Sequence, residues 1–365
     1  MTRARAAARH LLTASTFVAL ALAGAGCGGS SSPHDLGDLA TSPHDLAIER
    51  DLSVADAGVP DLSAGVGDLA IDDGSAADLA PTDLAPPYTG SNWLGAIPGA
   101  TSLAALSIPG THDTGALFED TPGATKTQNL AVPDQLTAGI RYFDIRTRNV
   151  NNQFEIYHLT VDQNLSFATV LQNIYDFLAA NPTEAVIMSV KEEQPETGST
   201  NTFEQTFDTY TAQHMDSWYL GATIPTLDAV RGKIVLLRRF SATTTPKGLD
   251  ATVWSDNTTF TINNGSATLQ IQDYYDVPDD TSKWTAIANQ LAAAKSGGTS
   301  DFYINHTSAY EDADGGLENI PSVSDVINPE VTSYFTTNTF GRYGAIVMDF
   351  ADTTKSGLVI KTNFK

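Results

Sequence analysis

Two histidines, two arginines, one lysine and three aspartates collect near the ends of apolar runs in this chain: His112, Asp144 with Arg146, His158, Lys191, Arg239, Asp273 and Asp349. Asp113 follows His112 directly. A histidine beside a carboxylate is a common general acid or base, because its pKa lies near neutrality and its surroundings tune it. Two histidines with separate acidic partners suit one base and one acid working on the same bond. Three cations suit a phosphate and the charge it develops. The chemistry this set fits is phosphodiester cleavage by general acid–base catalysis, which needs no metal. Polar strand ends that merely emerge into solvent would account for any one of these residues. That reading accounts poorly for all eight in the same place.

The apolar runs are the elements that must position them. The first, Leu103 to Ile108, stops at Pro109-Gly110, which reads as a turn delivering His112 and Asp113 into a cleft. Ala138 to Arg146, Phe154 to His158, Ala185 to Lys191, Lys233 to Arg239, Ala267 to Gln272, Phe302 to Asn305 and Tyr343 to Asp349 read as further strands. Between them lie helical patterns. Ser166 to Ala180 carries the stripe Phe167, Val170, Leu171, Ile174, Phe177 and Leu178, and Asn181-Pro182 ends it. Thr202 to Gln213, Leu227 to Val230 and Trp284 to Lys295 are the others. Near-continuous apolar strands alternating with helices imply a parallel sheet covered by helices. About eight such units fit a closed α/β barrel, in which strand C-terminal ends converge on one mouth. Side chains two apart share a strand face, which pairs Asp144 with Arg146 and Asp273 with Tyr275.

Composition divides the 365 residues into three parts. Residues 1–26 read as a signal peptide: Arg3, Arg5 and Arg9 precede an apolar core from Leu11 to Ala25. That core is short for a membrane span. Cys27, the only cysteine, follows Leu22-Ala23-Gly24-Ala25-Gly26 and resembles the acylated cysteine of a bacterial lipobox, with Gly24 where that motif usually has leucine. The protein is expected to be exported and held to a membrane through Cys27, or otherwise secreted. A lone cysteine allows no internal disulfide, so the fold must stand on its core. Residues 27–90 repeat Asp-Leu, and Ser32-Pro33-His34-Asp35-Leu36 returns as Ser42-Pro43-His44-Asp45-Leu46. The leucine spacing fits neither helix nor strand, so this segment reads as a disordered acidic tether with an end-to-end distance of about 40 Å. Residues 91–365 hold the catalytic barrel. The formal net charge of -23 argues against a nucleic-acid partner and disfavours broad adsorption to anionic membranes. An anionic substrate must therefore be met by cations inside a cleft.

The stretch Ser107-Ile108-Pro109-Gly110-Thr111-His112-Asp113, with Phe143-Asp144-Ile145-Arg146, Ile187-Met188-Ser189-Val190-Lys191 and Gly232-Lys233-Ile234-Val235-Leu236-Leu237, resembles the secreted bacterial phosphatidylinositol-specific phospholipases C. Asn181-Pro182-Thr183-Glu184 and Ile327-Asn328-Pro329-Glu330 add to the resemblance, which runs from about Leu103 to the last strand. It implies a single distorted TIM-type (β/α) barrel. It implies that His112 is the general base toward the inositol 2-hydroxyl, held by Asp349. Arg146 would bind the phosphate, supported by Asp144, and His158 with Asp113 would protonate the leaving diacylglycerol oxygen. Lys191, Arg239 and Asp273 would bind inositol hydroxyls, and Tyr275 would stack on the ring. The product would be inositol 1,2-cyclic phosphate, no cofactor or metal would be needed, and the protein would act as a monomer on phosphatidylinositol membranes or glycosylphosphatidylinositol (GPI)-anchored proteins. One departure stands out: the family often carries a tryptophan on a rim helix soon after the first histidine, and Glu119 to Ala131 contains no aromatic residue. Two other readings compete, a metal-dependent glycerophosphodiester phosphodiesterase barrel and a non-catalytic surface lipoprotein. The first would need a cluster of acidic metal ligands where this chain has Arg146, and the second would be expected to have lost a central residue.

Overall fold

The computed structural model describes residues 87–313 and 317–365. The signal peptide, Cys27 and all of the Asp-Leu tether before residue 87 lie outside the described residues.

The first strand, β1 (Ser107–Thr111), contains Pro109 and Gly110 rather than ending at them. The run before it is a single 3-10 turn, Leu103–Ala105. Gly110 supplies space instead of a turn: a Cβ there would lie 3.0 Å from the Tyr142 side chain. The chain then passes through α1 (Val132–Thr137), β2 (Tyr142–Val150), β3 (Gln153–His158), β4 (Val161–Ser166) and α2 (Phe167–Ala180). Ser166 caps α2 by accepting from the Thr169 amide, and the apolar stripe of α2 is buried except for half-buried Phe177. Next come β5 (Val186–Thr197), α3 (Phe203–Gln213), β6 (Trp218–Tyr219), α4 (Leu227–Val230), β7 (Ile234–Arg239), β8 (Leu249–Asp250), β9 (Thr258–Asn263) and β10 (Thr268–Asp273). The last third holds α5 (Asp280–Ser296), β11 (Asp301–His306), the small hairpin β12 (Glu311–Ala313) and β13 (Leu317–Asn319), α6 (Ile320–Thr337), β14 (Gly344–Met348) and α7 (Thr353–Lys361).

The strand order β6-β7-β5-β2-β1-β14-β11-β10-β9 makes a curled sheet that is parallel from β6 to β10. The expected barrel is thus present but open, because no ladder joins β7 to β10 among the described residues. Two side chains span that gap: Asn264 Nδ2 donates to the Asp250 carbonyl at 3.0 Å, and Trp254 reaches Asp273. The sheet is also mixed, since β9 and the β3–β4 extension run antiparallel to their neighbours.

Alternation along the strands sorts the core in two. Phe143, Ile145, Met188, Val190, Ile234, Leu236, Ile346 and Met348 face the helices. Ile108, Tyr142, Ile187, Val235, Leu269, Phe302 and Ala345 face inward, where Trp93 and Leu94 plug the N-terminal end. Four residues further along the same strands, on the same inward face, stand His112, Arg146, Lys191, Arg239, Asp273, His306 and Asp349. Parity alone therefore carries the apolar interior into a charged mouth.

Candidate active site

That mouth opens into a cavity of about 420 Å³ lined by His112, Arg146, His158, Lys191, Arg239, Asp273, Tyr275 and Asp349, among others. His112 Nδ1 lies 2.8 Å from Asp349 Oδ1, and its Nε2 lies 2.7 Å from an Arg146 guanidinium nitrogen. A guanidinium only donates and a carboxylate only accepts. Those partners place the ring proton on Nδ1 and leave Nε2 with its lone pair, the tautomer a base needs. Burial alone would push this imidazole down, but the Asp349 carboxylate and its hydrogen bond, with help from Asp113, hold it above the ordinary value against the opposing Arg146.

Arg146 is the centre of the charge network. It donates to Asp144 Oδ2 at 3.1 Å, lies 3.1 Å from Asp113 Oδ2 and 3.7 Å from Glu193. Burial opposes its charge, but these carboxylates raise its pKa well above the usual value. Asp144 is wholly buried and also meets Arg239 at 3.4 Å and Ser189 at 3.3 Å. Burial would raise its pKa, yet the two arginines hold it well below the usual carboxylate range. Asp144 does not line the cavity and reaches it only through the two arginines it contacts. It lies beneath the cavity and fixes the arginines. The physical reason is parity: Asp144 is one inward step below Arg146, covered by Arg146 itself.

His158 arrives by a route that the expectation of converging barrel strands did not contain. β3 is antiparallel to β2 and lies outside the barrel run. Because β2 continues to Val150, the hairpin folds back and returns His158 to the mouth. His158 Nδ1 faces the Thr125 carbonyl at 3.2 Å, and Nε2 faces Asp113 Oδ2 at 3.4 Å. Both partners are acceptor atoms, but the approach to Asp113 is an ion-pair contact rather than a hydrogen bond, since neither Asp113 carboxylate oxygen has a hydrogen-bond partner. Asp113 therefore sits between Arg146 and His158. Burial pushes its carboxyl up, while Arg146 and the two imidazoles pull it back.

The remaining expected residues continue round the mouth from Arg146, whose ladder partner is Lys191, itself paired with Arg239. Lys191 pairs with Glu193 at 2.7 Å; burial, then Arg146, lowers its pKa. Arg239 lies over the Trp254 ring at 3.7 Å from its centroid, and Trp254 Nε1 donates to Asp273 Oδ2 at 2.8 Å. Burial would raise the Asp273 carboxyl, but His306 and Arg239 bring it below the usual range. Tyr275 lines the cavity, but not as a strand neighbour of Asp273. The ladder stops at Asp273, because the Tyr274 and Tyr275 amides donate to the Gln272 and Asn257 side chains. Its hydroxyl donates to Asp256 at 2.5 Å.

Three side chains of the site were not anticipated from sequence. Glu193 follows Lys191 by two residues on the lengthened β5, so the strand period would have found it. His306 lies two residues after inward Ile304 and was within reach of the same rule. Its ring centroid is 5.9 Å from that of His112, neither ring nitrogen is hydrogen-bonded, and burial pushes its pKa down to about 4. Trp254 lies in a loop between strands, where no periodicity points. Over Glu119 to Ala131 there is no rim helix either: α1 begins only at Val132, and the exposed aromatic nearest that segment is Phe118.

Comparison with known proteins gives the family. Residues 106–240 match the model of the phosphatidylinositol-specific phospholipase C X domain. The chain is 33% identical over 284 residues to a 1-phosphatidylinositol phosphodiesterase of Staphylococcus aureus, covering 73% of this chain and 90% of that protein. It is 33% identical over 286 residues to the protein of the same name from Listeria monocytogenes, covering 75% and 86%. A solved structure of a mutant S. aureus phosphatidylinositol-specific phospholipase C superposes with a TM-score of 0.69 at 30% identity, over 76% of this chain and 98% of the other. The L. monocytogenes phosphatidylinositol-specific phospholipase C gives 0.60 at 30% identity, over 76% and 100%. This chain belongs to the bacterial phosphatidylinositol-specific phospholipase C family, whose X-domain barrel it carries.

Proposed function

We propose that this protein is a phosphodiesterase of phosphatidylinositol that releases diacylglycerol and inositol 1,2-cyclic phosphate. The observation that carries the reading is the chain of contacts His112–Arg146–Asp113–His158 at one cavity, from an imidazole whose Nε2 faces the Arg146 guanidinium to an imidazole flanked by two acceptors. In this account His112 Nε2 takes the proton of the inositol 2-hydroxyl, and that oxygen attacks phosphorus. Arg146 stabilises the charge on the non-bridging oxygens, and by turning toward the phosphate it releases the Nε2 lone pair. His158, its proton held toward Asp113, gives that proton to the leaving glycerol oxygen. Lys191, Arg239, Asp273 and Glu193 present donors and acceptors to the ring hydroxyls, and Tyr275 and Trp254 offer apolar faces.

The reaction is proposed to need no metal. The position that would face the phosphate holds a guanidinium, whose fixed charge and paired donors suit a phosphate and repel a cation. Among the described residues no group of three or more His, Cys, Asp or Glu side chains is disposed to hold one. GPI-anchored proteins are proposed as further substrates, with the enzyme working as a monomer. Export and acylation at Cys27 belong to the same proposal, and mass measurement of the mature N-terminus tests them. The activity itself is tested by incubating the purified protein with dispersed phosphatidylinositol and identifying the phosphorus-containing product. Cyclic phosphate supports the reading, and an inert protein overturns it.

A further inference from the structure

The segment that lacks the expected rim aromatics does something else. Thr127 and Gln128 are wholly buried directly behind the His112–Asp349 pair. The Gln128 side-chain amide donates to the His112 carbonyl at 2.7 Å and to the Met348 carbonyl at 2.8 Å, and its oxygen accepts from the Ala351 amide at 3.2 Å. Thr127 Oγ1 lies 3.2 Å from the His112 carbonyl and 2.9 Å from that of Asp113, and the Thr127 carbonyl accepts from the Phe350 amide at 2.7 Å. One amide side chain thus ties together the C-terminal exits of β1 and β14, the two strands whose next residues are His112 and Asp349.

Those exits need tying. The residue after each member of the pair has a positive φ, 41° at Asp113 and 47° at Phe350. Side chains with a Cβ disfavour that region, so the conformation persists only where surrounding contacts impose it. Gln128 and Thr127 add their contacts to the bond from the His112 amide to the Met348 carbonyl at 3.0 Å and that from the Asn328 side chain to the Asp349 carbonyl at 3.1 Å, and Gln128 is the side chain that bonds both exits at once. Gln128 does not line the cavity and touches no group that would meet substrate.

We infer that Gln128 is a positioning residue, which sets the distance and angle between His112 and Asp349 by clamping the backbone on both sides of the pair. The inference rests on the proposed reading of His112 as the base. The groups facing His112 are Asp349, Arg146, Asp113, His158 and His306, and only the first is held through Gln128. Loosening the clamp therefore weakens one interaction, the one that keeps the imidazole basic and correctly turned.

The test is the pH dependence of kcat and KM for phosphatidylinositol cleavage by full-length wild type, Gln128→Met, Asp349→Asn and the double variant. Gln128→Met keeps the side-chain length and removes every side-chain hydrogen bond. The expected result is a fall in kcat of about 10- to 100-fold, an unchanged KM, and an acid limb moved to lower pH in the direction of Asp349→Asn. In the Asp349→Asn background the same change should cost about twofold or less. Gln128→Asn, too short to span both carbonyls, is read the same way. Equal losses in both backgrounds, or an unmoved acid limb, would overturn the inference. So would loss of cooperative unfolding in both Gln128 variants, because the residue would then hold up the fold rather than the pair. A fully active His112→Ala would instead sink the reading of the base, so the two failures are distinguishable.

Discussion

His112 and His158 reach one cavity from different kinds of structure. His112 stands at the end of a barrel strand, 2.8 Å from a carboxylate on the next strand in the ring, with Gln128 bracing both exits. His158 stands at the end of an added hairpin, held by a loop carbonyl at 3.2 Å and a carboxylate at 3.4 Å. On the proposed mechanism the first arrangement fixes a lone pair in space, as abstraction from a specific hydroxyl requires, and the second keeps a proton available toward a leaving group without the same rigidity. The difference teaches that one imidazole of this site belongs to the scaffold and the other to an attachment to it.

Several changes would break or sharpen that contrast. The largest effect is expected from His112→Ala, a loss of about 10⁴-fold in kcat on any substrate that must form the cyclic phosphate. His158→Ala should cost about 10²- to 10⁴-fold on phosphatidylinositol, but less than about tenfold on an inositol phosphodiester with an aryl leaving group, which departs without a proton. Equal losses for His158→Ala on both substrates would erase the distinction between base and acid. Arg146→Lys should cost about 10²- to 10³-fold, since an ammonium keeps the charge but not the fork. Steady-state rates on monomeric substrate would show it.

Smaller and more diagnostic is the pH profile. The Asp349 carboxylate raises the His112 pKa, so the acid limb of kcat/KM should lie above the ordinary imidazole value of about 6.5. Asp349→Asn removes the raising partner, so the limb should move to lower pH while the plateau falls. A limb that moves upward would contradict the pairing. Smallest in its effect on chemistry, Ile187→Ala deep in the barrel should cost about 2–5 kcal/mol of stability and leave kcat per folded molecule unchanged. Denaturant unfolding followed by active-site titration would check this.

The part of the site carried by the barrel strands was legible in the sequence, because it obeys strand parity. His112, Arg146, Lys191, Arg239, Asp273 and Asp349 all continue the inward face of an apolar strand, and reading in steps of two finds them. His306 and Glu193 obey the same rule and were recoverable by it. The strand that ends at His158 was legible, but its direction was not. That it runs antiparallel as the return arm of a hairpin follows from the extra length of β2 beyond Arg146, which apolar content does not mark. Trp254 and Gln128 were not legible at all, for loop residues are placed by the contacts they make and leave no period. The open seam between β7 and β10 escaped for a similar reason: two side chains bridge it where a ladder was expected.

Two imidazoles and one guanidinium are proposed to cleave the phosphodiester through the neighbouring inositol hydroxyl. A phosphorus NMR time course of dispersed phosphatidylinositol with the full-length protein in excess chelator tests it most directly. The predicted result is inositol 1,2-cyclic phosphate as the first product, formed at the same rate with and without chelator. Acyclic inositol phosphate appearing from the outset, or activity abolished by chelator and restored by calcium, would contradict it.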